Sequence, residues 1–183
     1  MEIQTFDIEG PLLITPRVFP DDRGYFYESY NEQLFYKNGI TVKFVQDNQS
    51  CSRKGVLRGL HFQAPPFDQG KLVRVVKGAV IDVAVDIRKD SPTFGKHVRV
   101  ELSDVHQKML WIPSGFAHGF LSLIEDTIFL YKCTNLYDKA SEGGLIWNDP
   151  DIDIDWGISD PLVSEKDLEL PKLHQLKTPF LNK

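Results

Sequence analysis

The chain has 183 residues, enough to bury one sizeable core, and no Pro/Gly/Ser-rich or charge-block linker divides it, so residues 1–183 read as one domain. A net charge of -5 argues against a nucleic-acid or anionic-membrane surface, while leaving room for a local basic pocket that takes an anionic small molecule. Two cysteines, Cys51 and Cys133, lack CxxC or other metal-type spacing and exclude a disulfide framework; with no basic and apolar leader and no stretch of membrane-spanning length, a cytoplasmic enzyme is the simplest expectation.

Along the chain, a first strand is expected over 24–30. Asn31 then caps a short helix through Tyr36 that ends at Asn38-Gly39. Further runs rich in Val, Ile, Phe and Tyr, closely punctuated by turn residues, predict strands over 42–49, 55–63, 71–77, 97–102, 108–112, 118–123 and 126–134. The clearest alternation sets Ile81, Val83, Val85 and Ile87 against Asp82, Ala84, Asp86 and Arg88, the pattern of a half-buried strand. Ser164 caps a last short helix with Asp167 at its N3 position. The fold class that follows is all-β, a closed or double-sheet jelly roll with short peripheral helices.

Small barrels generally fill their interiors with apolar side chains. Here His61, Gln63, Lys71, His118 and Tyr131 lie in or beside candidate strands, and burying such a group unpartnered costs roughly 1 to 3 kcal/mol. A ligand cavity inside the barrel accounts for them. Taken singly, each has a plainer reading as a satisfied core residue or a solvated surface residue; order and spacing together favour a site.

Two segments carry a resemblance: Val56-Leu57-Arg58-Gly59-Leu60-His61-Phe62-Gln63, and Trp111-Ile112-Pro113-Ser114-Gly115-Phe116-Ala117-His118-Gly119-Phe120. They resemble the dTDP-4-dehydrorhamnose 3,5-epimerase family, whose fold is a cupin-like jelly-roll barrel. The second also matches the PxGxxH half of the general cupin signature. The first departs from it, because a metal-binding cupin places a second His where Gln63 stands. A catalytic metal usually wants three protein ligands, and His97, His106 and His174 fall outside both motifs, so neither metal nor other cofactor is expected.

The resemblance implies epimerisation of a dTDP-4-keto-6-deoxyhexose at C3 and C5, in dTDP-L-rhamnose biosynthesis, by acid/base chemistry through an enolate. His61 would be the base, Asp167 would orient its ring, Tyr131 would be the opposing acid and Lys71 would hold the enolate oxygen. Arg58 would grip the diphosphate, although strict alternation sets it on the face opposite His61 unless Gly59 marks a bulge. Arg23, Phe26 and Glu28 match a strand arm donated by the partner of a homodimer, with Phe26 and Glu28 on one strand face. Gln46 and Asn48 suit the edge of thymine, Tyr137 its face, and His118, Glu142 and Lys166 complete the implied binding set.

The alternatives are an epimerase acting only at C3 or only at C5, a 4-keto-sugar ketoisomerase, a metal-dependent cupin oxygenase or isomerase, and a noncatalytic nucleotide-sugar-binding cupin. Tyr131 favours inversion, since it offers a proton donor on the face away from His61.

Overall fold

The computed structural model describes residues 1–181. In chain order its strands are β1 (Glu2–Thr5), β2 (Leu12–Thr15), β3 (Phe19–Asp21), β4 (Gly24–Phe26), β5 (Gln46–Ser52), β6 (Leu57–Gln63), β7 (Lys71–Lys77), β8 (Ala79–Asp86), β9 (His97–Ser103), β10 (Met109–Ile112), β11 (Phe116–Ser122), β12 (Thr127–Cys133) and β13 (Glu142–Gly144). Helices α1 (Glu32–Lys37) and α2 (Glu165–Leu168) are peripheral. Six strands form one sheet in the order β1-β2-β10-β7-β12-β5, and five form the facing sheet, β13-β6-β11-β8-β9. Together they make an antiparallel jelly roll, the expected all-β class.

Each helix begins where the sequence places its cap. Asn31 Oδ1 accepts from the Leu34 N–H at 3.2 Å, and Ser164 Oγ accepts from the Asp167 N–H at 3.2 Å, satisfying donors that a first helical turn leaves free.

Between the sheets, Val73, Val75, Val80, Ala84, Leu110, Ile112, Phe116, Phe120 and Phe129 close one end of the barrel. Full burial of side chains this size contributes about 1.5 to 3 kcal/mol each. A second apolar layer lies outside the five-stranded sheet, where Leu57, Ile81, Val83 and Val85 meet Leu145, Trp156 and Phe180 of the C-terminal segment. A third joins α1 to the outer face of the six-stranded sheet through Phe35, Ile14, Leu72, Met109 and Trp111.

This layering corrects one expectation. Strand β8 is buried on both faces, not half-buried: its apolar face is covered by the C-terminal segment and its polar face is turned into the barrel, with Asp82 and Asp86 fully enclosed. A second correction concerns the arm, where the strand expected over 24–30 ends at Phe26. Beyond it Glu28 accepts from Asn31 Nδ2 at 3.0 Å, on the way into α1, so Phe26 and Glu28 do not share a strand face here.

A bulge between β6 and β11 resolves the conflict over Arg58. Register passes from His118 opposite His61 to Phe120 opposite Arg58, so two residues of β6, Gly59 and Leu60, face the single Gly119. Gly59 has φ +127°, and a Cβ there would lie 2.5 Å from Gly119 Cα and 2.8 Å from the His118 carbonyl oxygen. Only glycine fits, and the extra residue turns both Arg58 and His61 toward the barrel mouth.

Candidate active site

Above the apolar plug the barrel opens into a cavity of about 380 Å³ walled by both sheets. Arg58, His61 and His118 project from the five-stranded sheet, Ser50, Lys71 and Tyr131 from the six-stranded one, and Lys166 and Asp167 of α2 close one side. It adjoins a cavity of about 330 Å³ lined by Gln46, Asn48, Gln63, Tyr137 and Glu142, and the two share His61, Lys71 and Tyr131.

His61 Nε2 lies 2.7 Å from Asp167 Oδ1. The carboxylate accepts the Nε2 hydrogen, which leaves Nδ1 as the ring nitrogen open to take a proton. Burial pushes the Asp167 carboxyl up, but the His61 ring, the Gly59 N–H and Ser164 together outweigh it and hold the group below the ordinary carboxylate range. Asp167 therefore stays ionised beside the ring.

Lys71 is half-buried. Burial pulls its ammonium below the ordinary lysine value, while Cys133 and Asp82 pull it back up. Tyr131 is shifted the other way: burial, aided by Cys133 and opposed by Arg58, holds its phenol above the ordinary value and keeps the hydroxyl protonated. Arg58 Nε donates to Ser52 Oγ at 3.2 Å, from one sheet to the other.

Sequence reasoning missed the partner of His118. The His118 Nε2 lies 3.0 and 3.1 Å from the two oxygens of Asp82, which is wholly buried. The available signal was the polar face of the 81–87 alternation, which carries Asp82. It also missed Ser50, whose Oγ is buried without a hydrogen-bond partner among the described residues.

In the adjoining cavity, Gln46 Nε2 donates to Asn48 Oδ1 at 3.1 Å, and Gln46 Oε1 accepts from the Tyr137 N–H at 2.9 Å. Lys166 Nζ meets Glu142 Oε2 at 2.6 Å, joining α2 to β13 across the rim. The pairing raises Lys166, and at Glu142 it outweighs burial and holds the carboxyl low. Arg23, Phe26 and Glu28 are not brought to either cavity; Arg23 is paired with Asp21 at 2.6 Å on the exposed β3–β4 hairpin. Among the described residues, no group of three His, Cys, Asp or Glu side chains is placed to hold a metal ion, and no helix is long and apolar enough to cross a membrane.

The family model for dTDP-4-dehydrorhamnose 3,5-epimerase matches residues 5–175. The chain belongs to that family. A dTDP-4-dehydrorhamnose 3,5-epimerase of Salmonella typhimurium is 56% identical over 170 residues, covering 92% of this chain and 93% of that protein. The Legionella pneumophila dTDP-6-deoxy-D-glucose-3,5-epimerase, solved in complex with dTDP-4-keto-L-rhamnose, superposes with a TM-score of 0.95 at 44% identity, covering 100% of this chain and 99% of that one. The Bacillus anthracis dTDP-4-dehydrorhamnose 3,5-epimerase, solved with TDP and PPi bound, gives 0.91 at 44% identity over 93% and 98%. Like the family it belongs to, the chain is a cupin-type isomerase, a dTDP-4-dehydrorhamnose 3,5-epimerase of dTDP-rhamnose biosynthesis.

Proposed function

We propose that this epimerase inverts C3 and C5 of a dTDP-4-keto-6-deoxyhexose with His61 as base and Tyr131 as acid on opposite faces of the sugar. The observation that carries the reading is placement: the two side chains line one cavity from opposite sheets, with Lys71 beside them. His61 Nδ1 takes the proton from the carbon next to the C4 ketone. The C–H electron pair forms a carbon–carbon double bond, and the carbonyl π pair moves onto O4. Lys71 offers a fixed cation to that oxygen in a place shielded from water, where it is worth more than in solvent. Asp167 steadies the imidazolium, and the Tyr131 hydroxyl gives its proton to the carbon from the far face.

In the same reading His118 contacts the sugar, Arg58 holds the diphosphate, Gln46 and Asn48 meet the edge of thymine, Tyr137 stacks on its face, and Glu142 and Lys166 bound the nucleotide end. Arg23, Phe26 and Glu28 reach the site of a partner protomer in a homodimer. Because one cavity draws on both sheets and α2, residues 1–183 work as a single domain.

Proton NMR of the keto-sugar nucleotide in deuterated buffer tests the chemistry. The parent enzyme should place deuterium at C3 and C5 with both centres inverted. Tyr131→Phe should still exchange hydrogen on the His61 face while inverting slowly, and His61→Ala should lose roughly 10² to 10⁴ in turnover. Inversion as fast in Tyr131→Phe as in the parent removes Tyr131 as the acid, and label at one carbon alone makes the enzyme a single-centre epimerase.

A further inference from the structure

Gln63 occupies the position where a metal-binding cupin carries its second histidine, and it is engaged in something else. It is the last residue of β6, its side chain is 5% exposed, and its amide is directed at two loops. Nε2 donates to the Phe67 carbonyl at 2.6 Å and to the Leu136 carbonyl at 3.1 Å, and Oε1 accepts from the Asp138 N–H at 2.9 Å. The two backbone groups held on the second loop belong to the residues immediately before and after Tyr137. The Tyr137 N–H itself is held by Gln46. Three consecutive residues are thus each tied through the main chain to a glutamine side chain.

Tyr137 needs such support, because its ring is 55% exposed and little packing fixes it. The same two loops are joined again further out, where Gln69 Nε2 donates to the Asn135 carbonyl at 2.8 Å and Asn135 Nδ2 to the Pro66 carbonyl at 3.0 Å. Gln69 and Asn135 are themselves only half-buried, and water competes for their bonds. Gln63 is the enclosed member, and a buried amide whose donors and acceptor are all engaged holds its partners in one arrangement.

We propose that Gln63 is a positioning residue for nucleotide recognition: it fixes the backbone on both sides of Tyr137, so that the ring stands in place before the pyrimidine arrives. The inference rests on the reading of Tyr137 as the stacking wall. A wall set in advance spares the ligand the cost of ordering the loop, so its loss should appear in binding and not in the chemical step.

Gln63→Met keeps the length of the side chain and removes its donors and acceptor. With dTDP as the probe in calorimetric titration, Kd should rise about tenfold, and KM for the nucleotide sugar should rise alongside it with kcat within about twofold of the parent. Gln63→Glu retains the acceptor for Asp138 and sets a carboxylate against two carbonyl oxygens; it should show the same split, and it serves if Gln63→Met does not fold. The decisive comparison is a double-mutant cycle with Tyr137→Ala. If Gln63 acts through the ring, its substitution adds nothing to the loss already present in Tyr137→Ala. An equal further loss in that background, parent-like dTDP affinity in the Gln63 variants, or a fall in kcat at unchanged KM overturns the proposal. Should Tyr137→Ala itself bind dTDP like the parent, the stacking role fails and this inference falls with it, whereas a loss in Tyr137→Ala with none in Gln63→Met sinks the inference alone.

Discussion

Lys71 shows how a single side chain divides between stability and function. Enclosure disfavours its ammonium, so the folded state holds that proton less tightly than the unfolded chain does. Stability then rises with pH across the window from the depressed folded value up to the ordinary lysine range, and the full cost is present below that window. Lys71→Met should therefore be more stable than the parent at pH 7, an advantage that shrinks as the pH approaches about 10. The same change should lower turnover by about 10² to 10³, as loss of a transition-state charge partner does. Urea denaturation at both pH values, beside kcat at pH 7, checks the two halves; a destabilised variant at neutral pH would show the lysine to be a structural cation. At this scale the family resemblance brought Arg58, His61, Lys71, His118, Tyr131 and Asp167 into view, and all six line one cavity. Asp82 stayed hidden because alternation alone does not say which face of a strand meets solvent.

Among the elements, the bulge in β6 connects fold to chemistry. Regular pairing would set Arg58 and His61 on opposite faces, and the extra residue facing Gly119 brings both into the mouth. Gly59→Ala should therefore cost about 3 kcal/mol, since its Cβ meets backbone of β11 and its φ suits only glycine. The control is Gly157→Ala, also at positive φ but with no atom within 4 Å of the added Cβ; it should lose less. Denaturant midpoints rank the two, and equal losses would mean that the close approach to Gly119 is not limiting. Sequence pattern found the interior strands best: β7 runs from Lys71 to Lys77 as expected, because Leu72, Val73, Val75 and Val76 make a compact apolar run rich in β-branched residues. It overlooked β1, β2 and β3, which are only three or four residues each, and β13, whose Glu-Gly-Gly has almost no strand propensity and pairs because β6 offers a free edge. It overextended the arm because propensity does not report whether a strand has a neighbour.

The arm matters at the scale of the whole molecule. Among the described residues, hairpin β3–β4 pairs with no other strand, and an isolated two-stranded hairpin is marginal in water. It is fastened to the barrel through two tyrosines, the Tyr25 hydroxyl accepting from Gln107 Nε2 at 3.0 Å and the Tyr27 hydroxyl from Arg74 Nη1 at 2.9 Å, yet Phe26 remains 67% exposed. A hairpin that holds Phe26 exposed and away from both cavities of its own chain fits the proposed homodimer, in which each protomer lends its arm to the other. Mixing two disabled variants tests the exchange. His61→Ala lacks a base and keeps a sound arm; Arg23→Ala/Phe26→Ala keeps the base and has a defective arm. Each alone should have little activity. If arms are exchanged, a mixed dimer contains one intact site, made of the second variant's cavity and the first variant's arm, and equal mixing should restore about a quarter of parental activity per chain. If each arm serves its own cavity, no mixed dimer holds an intact site, and activity stays at the sum of the two variants. Full activity in Arg23→Ala/Phe26→Ala by itself would remove the arm from the site altogether.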